Sequence, residues 1–202
     1  MDILSKLFGS AARVKLLRLF LLNADIVYDA PMIAERAKVS SATARREALA
    51  FERIGLVRRR SFLRPLARGG KKRTQGWALD ERFPYLSELY GLLVNIPPLR
   101  SNEIVRRLSR VGRIKFLVLS GIFIQNPDSR IDLLLVGDNL KNGALENAMR
   151  ALEADVGKEL RYTAFETEQF RYRVGVYDRL IRDVLDYPHQ TVVDRLNVQM
   201  PR

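Results

Sequence analysis

The chain has 202 residues, 47% hydrophobic and 29% charged, which suits one large domain or two modest ones and is unlike a disordered chain. The absence of cysteine excludes disulfides and thiolate metal sites, and no apolar run approaches the 18 or so residues of a membrane span. The net charge of +12 is uneven: residues 1–80 hold 17 Lys/Arg against 7 Asp/Glu, and residues 81–202 hold 18 against 16, so one part of the chain suits either a polyanion or a soluble basic role without a specific partner.

Residues 1–6 lack a basic stretch followed by a long apolar one, so no signal peptide is expected and the location expected is cytoplasmic. Residues 11–22 set Ala12, Val14, Leu16, Leu17, Leu19, Phe20 and Leu21 among Arg13, Lys15 and Arg18, a helix with a narrow basic face and Ser10 as N-cap. Asn23-Ala24-Asp25 ends it, and Ile26-Val27-Tyr28 is a short β-type run. Asp29 caps a second helix over 30–37, with Pro31 in the first turn and Ile33, Ala34 and Ala37 inward. A third helix, capped by Ser40 or Ser41, runs to about Ile54 with Gly55 as its stop. Ala44, Ala48, Leu49, Phe51 and Ile54 form its apolar stripe. Leu56-Val57 opens a strand that continues through Leu63. A turn-rich basic stretch, 64–73, has Gly69-Gly70 at its tip, and 74–79 returns as the second strand of a hairpin.

An amphipathic helix over 83–94 places Leu86, Leu89, Tyr90 and Leu93 on or near one face, suited either to a dimer contact or to an interdomain strut. Residues 95–100, with two prolines, break it and mark a boundary. The domains expected are therefore 1–80, a connector over 81–100, and 101–202. In the last, a helix over 101–110 precedes strands at 114–119 and 131–136. A helix over 142–157, a strand at 160–165, helices at 167–172 and 177–185 and a strand or edge at 191–196 follow. Strands alternating with helices imply an α/β or α+β sheet domain.

Three helices and a basic hairpin follow the order of a winged helix-turn-helix, whose third helix presents its N-terminal side chains to base edges in the major groove. Ser40, Ser41, Thr43, Arg45 and Arg46 lie there; arginine can read guanine through two parallel hydrogen bonds, and hydroxyls bond bases or phosphates. From Arg53 to Leu79 there are nine Lys/Arg and no acid, a surface whose self-repulsion a phosphate backbone relieves. Arg64, Arg68, Lys71, Lys72 and Arg73 are the expected contacts to double-stranded DNA. Arg58 to Arg60 alternate along a strand, so at least one points away from it. The other reading is a solvated charged hairpin on a helical protein-binding domain.

Leu7-Phe8-Gly9-Ser10 with residues 13–20, Ile33-Ala34-Glu35-Arg36-Ala37 with residues 39–47, and Ile54-Gly55-Leu56-Val57 resemble ArsR- and MarR-like winged-helix regulators over about residues 5–80. The resemblance implies a transcriptional regulator, and a two-fold operator would suit a homodimer.

Residues 117–121 and 131–138, with 161–165 and Glu168-Gln169-Phe170, resemble the nucleotidyltransferase fold of the DNA polymerase beta superfamily. The fold class implied is α+β: an N-terminal winged helix-turn-helix followed by a C-terminal α/β nucleotidyltransferase-like domain. Active members of that superfamily use a glycine-serine pair, two acids one residue apart on a strand and a third acid on a later strand to hold two Mg²⁺ ions. Here Ile122 follows Gly121, Asp132 is matched with Leu134 in place of the second acid, and the third strand, 162–165, has none, Glu166 lying just past it. The resemblance thus implies an inactive relative, with no metal site, no cofactor and no enzyme activity; Gly121 and Asp132 are its remnants. Asp132 is either a structural cap for the preceding loop or the relic of a cleft that senses a nucleotide ligand. His189 reads as a surface residue, Trp77 as packing for the wing, and Tyr172 and Tyr177 as core or interface residues. Two competing readings stand beside the regulator: a Mg²⁺-dependent nucleotidyltransferase that docks substrate through its winged helix, and a toxin–antitoxin-type component.

Overall fold

Capping and burial set the helices of the first ninety or so residues. A computed structural model describes residues 3–65 and 69–198 of the chain. Helix α1 (Ile3–Leu7) precedes α2 (Ala11–Leu21), whose N-cap Ser10 accepts from the Arg13 N–H. Asp29 accepts from the Met32 N–H and starts α3 (Ala30–Ala37), while Ser40 starts α4 (Ser41–Arg53). The hairpin strands are β1 (Val57–Pro65) and β2 (Lys71–Leu79), and α5 (Leu86–Leu93) follows. Phe20 is fully buried and meets Tyr28 and Phe51 edge-on, so the three-helix core closes around one aromatic centre.

Several expectations change here. The short helix α1 adds to the elements expected. Of Ile26-Val27-Tyr28 only Tyr28 makes a β-bridge, to Trp77. Ile54 is 62% exposed, outside the stripe that buries Ala44, Ala48 and Phe51, because it is the C-cap and no longer on the helix face. The hairpin strands run farther toward the tip than the turn-forming residues suggest, since pairing persists through Arg64↔Lys72 and Pro65↔Lys71. Pro65 is tolerated at the strand end, where little ladder bonding is lost. Gly69 and Gly70 both take φ +87°, the left-handed region that favours glycine.

Helix α5 starts at Leu86 rather than at Phe83, because Phe83 precedes Pro84 and is pushed out of the helical region. The face expected to suit a dimer contact or an interdomain strut packs in part against the first core. Leu93 is buried in the first core, and Leu86, Leu89 and Tyr90 pack against it, the Tyr90 hydroxyl donating to the Leu21 carbonyl.

The remainder holds α6 (Ser101–Leu108), β3 (Arg113–Leu119), a 3₁₀ turn at Gly121–Phe123, β4 (Leu133–Asp138), α7 (Asn142–Val156), β5 (Tyr162–Glu166), α8 (Thr167–Gly175), α9 (Arg179–Leu185) and β6 (Gln190–Asp194). The sheet order is β5-β4-β3-β6. β4 and β5 are parallel, which α7 permits by crossing over between them, and the other pairs are antiparallel. Phe116, Val118, Leu134 and Val136 fill one face with Phe165, Phe170, Ile181 and Val184. Leu117, Leu119, Leu133 and Leu135, which alternate with them, are buried too, so the central strands are covered on both sides. The whole is a mixed α+β fold with two small sheets, and no helix among the described residues is long and apolar enough to cross a membrane. Two compact units divide it: residues 1–96 with 153–158, and 97–152 with 159–202.

Candidate nucleic-acid interface

At the start of α4 the local chemistry is capping. The Ser40 hydroxyl accepts from the Thr43 N–H at 3.1 Å and donates to the Thr43 hydroxyl at 2.9 Å, so both hydroxyls first serve the helix end. Ser41 and Arg45 are exposed, and the Arg45 guanidinium has no partner among the described residues. Arg46 is also exposed but lies on Glu47, 3.3 Å away. Glu47 is 3% exposed, and its charge is met chiefly by Arg13 of α2 at 2.8 Å. That pair couples α2 to α4 and leaves Arg45 as the open cation of the first turns.

The hairpin has two faces. Directly paired residues in an antiparallel ladder share a face, so Arg59, Ser61 and Leu63 belong with Lys71, Arg73, Gln75 and Trp77. Arg58, Arg60 and Arg64 belong with Lys72 and Thr74 on the other. Lys71 and Lys72 thus point to opposite sides. Lys71, Lys72, Arg73 and Arg60 are exposed, with no side-chain partner among the described residues.

The hairpin is held at two acids. Glu52 of α4 accepts from the Trp77 indole N–H at 2.8 Å and from Arg59 at 2.9 Å, and the Arg59 guanidinium sits 5.0 Å from the Trp77 ring centre. The Trp77 hydrogen bond, then the Arg59 one, hold the Glu52 carboxyl below its usual range. Trp77 accordingly packs the hairpin onto α4. On the other face Arg64 reaches Asp29 at 2.7 Å, the same carboxylate that caps α3. This contact relieves the like-charge opposition of Arg64 and Lys72 and engages Arg64 inside the unit. Arg68 lies outside the described residues. The sequence marks Asp29 as a helix cap but not as an anchor for the hairpin, and Glu47 and Glu52 carry no motif; their rarity in so basic a stretch is the available signal.

The second resemblance meets a different geometry. Asp132 lies just before β4 and is 4% exposed. Its carboxylate accepts from the Ile122 N–H at 3.1 Å, from the Arg161 N–H at 2.8 Å and from the Arg161 guanidinium at 3.3 Å. Gly121 takes φ +55°, and a Cβ there would stand 1.9 Å from Asp132 Oδ1. The turn is therefore closed onto the carboxylate, with no room for a phosphate group at that contact. Leu134 is wholly buried.

Glu166 is not past the third strand but its last residue, because β5 pairs Glu166 with Gly137. Its carboxylate accepts from the Asn139 and Leu140 N–H groups at 3.1 and 2.9 Å. Both acids that could serve Mg²⁺ are thus engaged by protein donors, and no cluster of three metal-binding side chains occurs among the described residues. The residues do not fit a two-metal centre.

His189 is half-buried and its ring contacts the Tyr187 carbonyl. Tyr172 and Tyr177 are 73% and 50% exposed, so neither belongs to the core; on α8 only Phe170 is buried. No protein-family model, curated protein or solved structure matches the chain significantly.

Proposed function

We propose that the chain is a cytoplasmic DNA-binding transcriptional regulator. In this reading the first unit is a winged helix-turn-helix that binds double-stranded DNA as a homodimer. The second is a nucleotidyltransferase-like domain without catalytic activity, used for ligand sensing or assembly. The observation that carries the proposal is the division of charge in the first unit. Asp29, Glu47 and Glu52 are spent on Arg64, Arg13 and Arg59, while Arg45, Lys71, Lys72 and Arg73 stand exposed and without acid partners. Cations left open at the start of α4 and along the hairpin suit base reading and phosphate neutralisation respectively. The occupied Asp132 and Glu166 carboxylates support the non-enzymatic role of the second unit.

Selection of duplexes from a random pool by the full chain, with and without nucleotides, tests the reading. The expected result is one enriched motif with two-fold symmetry and half-sites about one helical turn apart. Retention of the pool without enrichment would overturn sequence-specific regulation. Enrichment of a single half-site would overturn the homodimer.

A further inference from the structure

On the side of the hairpin away from Trp77 lies a cavity of about 200 Å³ within the first unit. Arg58 and Arg60, two residues apart on β1 and therefore on one face, line it together with Val27, Leu79, Asp25 and Glu81. The Arg58 Nε is buried and has no hydrogen-bond partner. Arg60 is exposed and has no side-chain partner among the described residues. Asp80 lies within the field of Arg58, whose charge helps to lower its carboxyl pKa behind the larger effect of the Arg82 N–H, yet it accepts no hydrogen bond from Arg58.

We infer that this cavity is a binding site for a small oxyanion, a phosphate or carboxylate group. The Arg58 guanidinium makes no hydrogen bond among the described residues, so its charge is open to an oxygen acceptor in the cavity. Two guanidinium groups on one wall give the planar, forked donor geometry that carboxylates and phosphates accept. The volume lies below the ~300–1,000 Å³ of sites for drug-sized ligands, which selects a small molecule. The Asp25 and Glu81 carboxylates at the wall disfavour a polyanion. They distinguish the site from the duplex surface and suit a ligand that carries a cationic group as well. The inference stands independently of the DNA reading.

Isothermal titration of the full chain with inorganic phosphate, and separately with succinate, at constant ionic strength in chloride tests it. The two titrations decide whether phosphate or carboxylate is the preferred group. The expected result is saturable one-site binding of at least one anion. Arg58→Gln and Arg60→Gln should each weaken it about tenfold or more, the size of one charge-assisted hydrogen bond. Asp25→Asn should strengthen it. Should Arg58→Gln fail to fold, Arg60→Gln, at an exposed position, carries the test. No saturable binding of either anion, or an affinity indifferent to both arginines, would overturn the site.

Discussion

Arg45 and Arg46 are neighbours in the chain but differ in what they have left to offer. Arg45 is exposed and unpartnered, whereas Arg46 already leans on Glu47. Under the DNA reading Arg45→Ala should cost about 1–3 kcal/mol on the selected duplex and little on scrambled duplex. Arg46→Ala should cost less, because its guanidinium must first leave Glu47. Equilibrium binding to both duplexes measures the difference; a larger effect at Arg46 would reverse the assignment. The same question, whether a charge is free or already spent, decides Asp132. With its carboxylate bonded to Ile122 and Arg161, Asp132→Asn should lower unfolding stability by about 2 kcal/mol. It should leave nucleotide incorporation at background with Mg²⁺, as in the parent chain. Urea unfolding beside an incorporation assay reads both, and Mg²⁺-dependent activity abolished by the change would restore the enzyme reading.

Among the elements, the hairpin tests the interface most sharply, because alternation sends adjacent lysines to opposite faces. Lys71 and Arg73 share their face with Arg59, which Glu52 ties to α4; Glu52 lies seven residues, about two turns, beyond Arg45. If duplex lies along that side, Lys71→Ala should lower the slope of log affinity against log salt by about 0.9, the amount for one phosphate contact. Lys72→Ala should change it much less, and equal changes for both would mean that the duplex straddles the hairpin. The sequence treated the two lysines alike because strand pairing near the tip was hidden by turn-forming residues. Helix starts were legible wherever a side-chain cap marked them, as at Ser10, Asp29 and Ser40. The start of α5 was not, since its apolar spacing extends back across Pro84 to Phe83. Nor could that spacing tell a self-burying face from a dimer face. Among the site residues, exposure of Arg45 and Lys71 follows from residue type, whereas the capture of Arg64 by Asp29 joins positions 35 apart in the chain and has no local signature.

Over the whole molecule, net positive charge and depressed carboxyl pKa values act in the same direction as pH falls. Hydrogen bonds lower Glu52, through Trp77 and then Arg59; Asp80, through the Arg82 N–H; and Asp138, through the Thr167 hydroxyl. Each such carboxylate binds its proton less readily folded than unfolded. Its contribution to stability is complete above the unfolded value, 4.5 for Glu52 and 3.8 for the aspartates, and disappears as pH falls through the lower folded value. Protonation of further carboxylates also raises a net charge that is +12 at neutral pH, adding self-repulsion. Urea midpoints should therefore be level from pH 7 to about 5 and fall below about 4.5. The chain has one tryptophan, and its indole donates to Glu52, so its fluorescence reports the first unit. Glu52→Gln keeps an acceptor for the indole but removes the titrating charge and its ion pair with Arg59. It should lower the midpoint at pH 7 and reduce the acid-induced fall read at Trp77. An acid response at Trp77 of the same size in parent and variant would show that Glu52 does not carry the linkage. A midpoint that rises on acidification would mean that groups with raised folded pKa values outweigh these carboxylates.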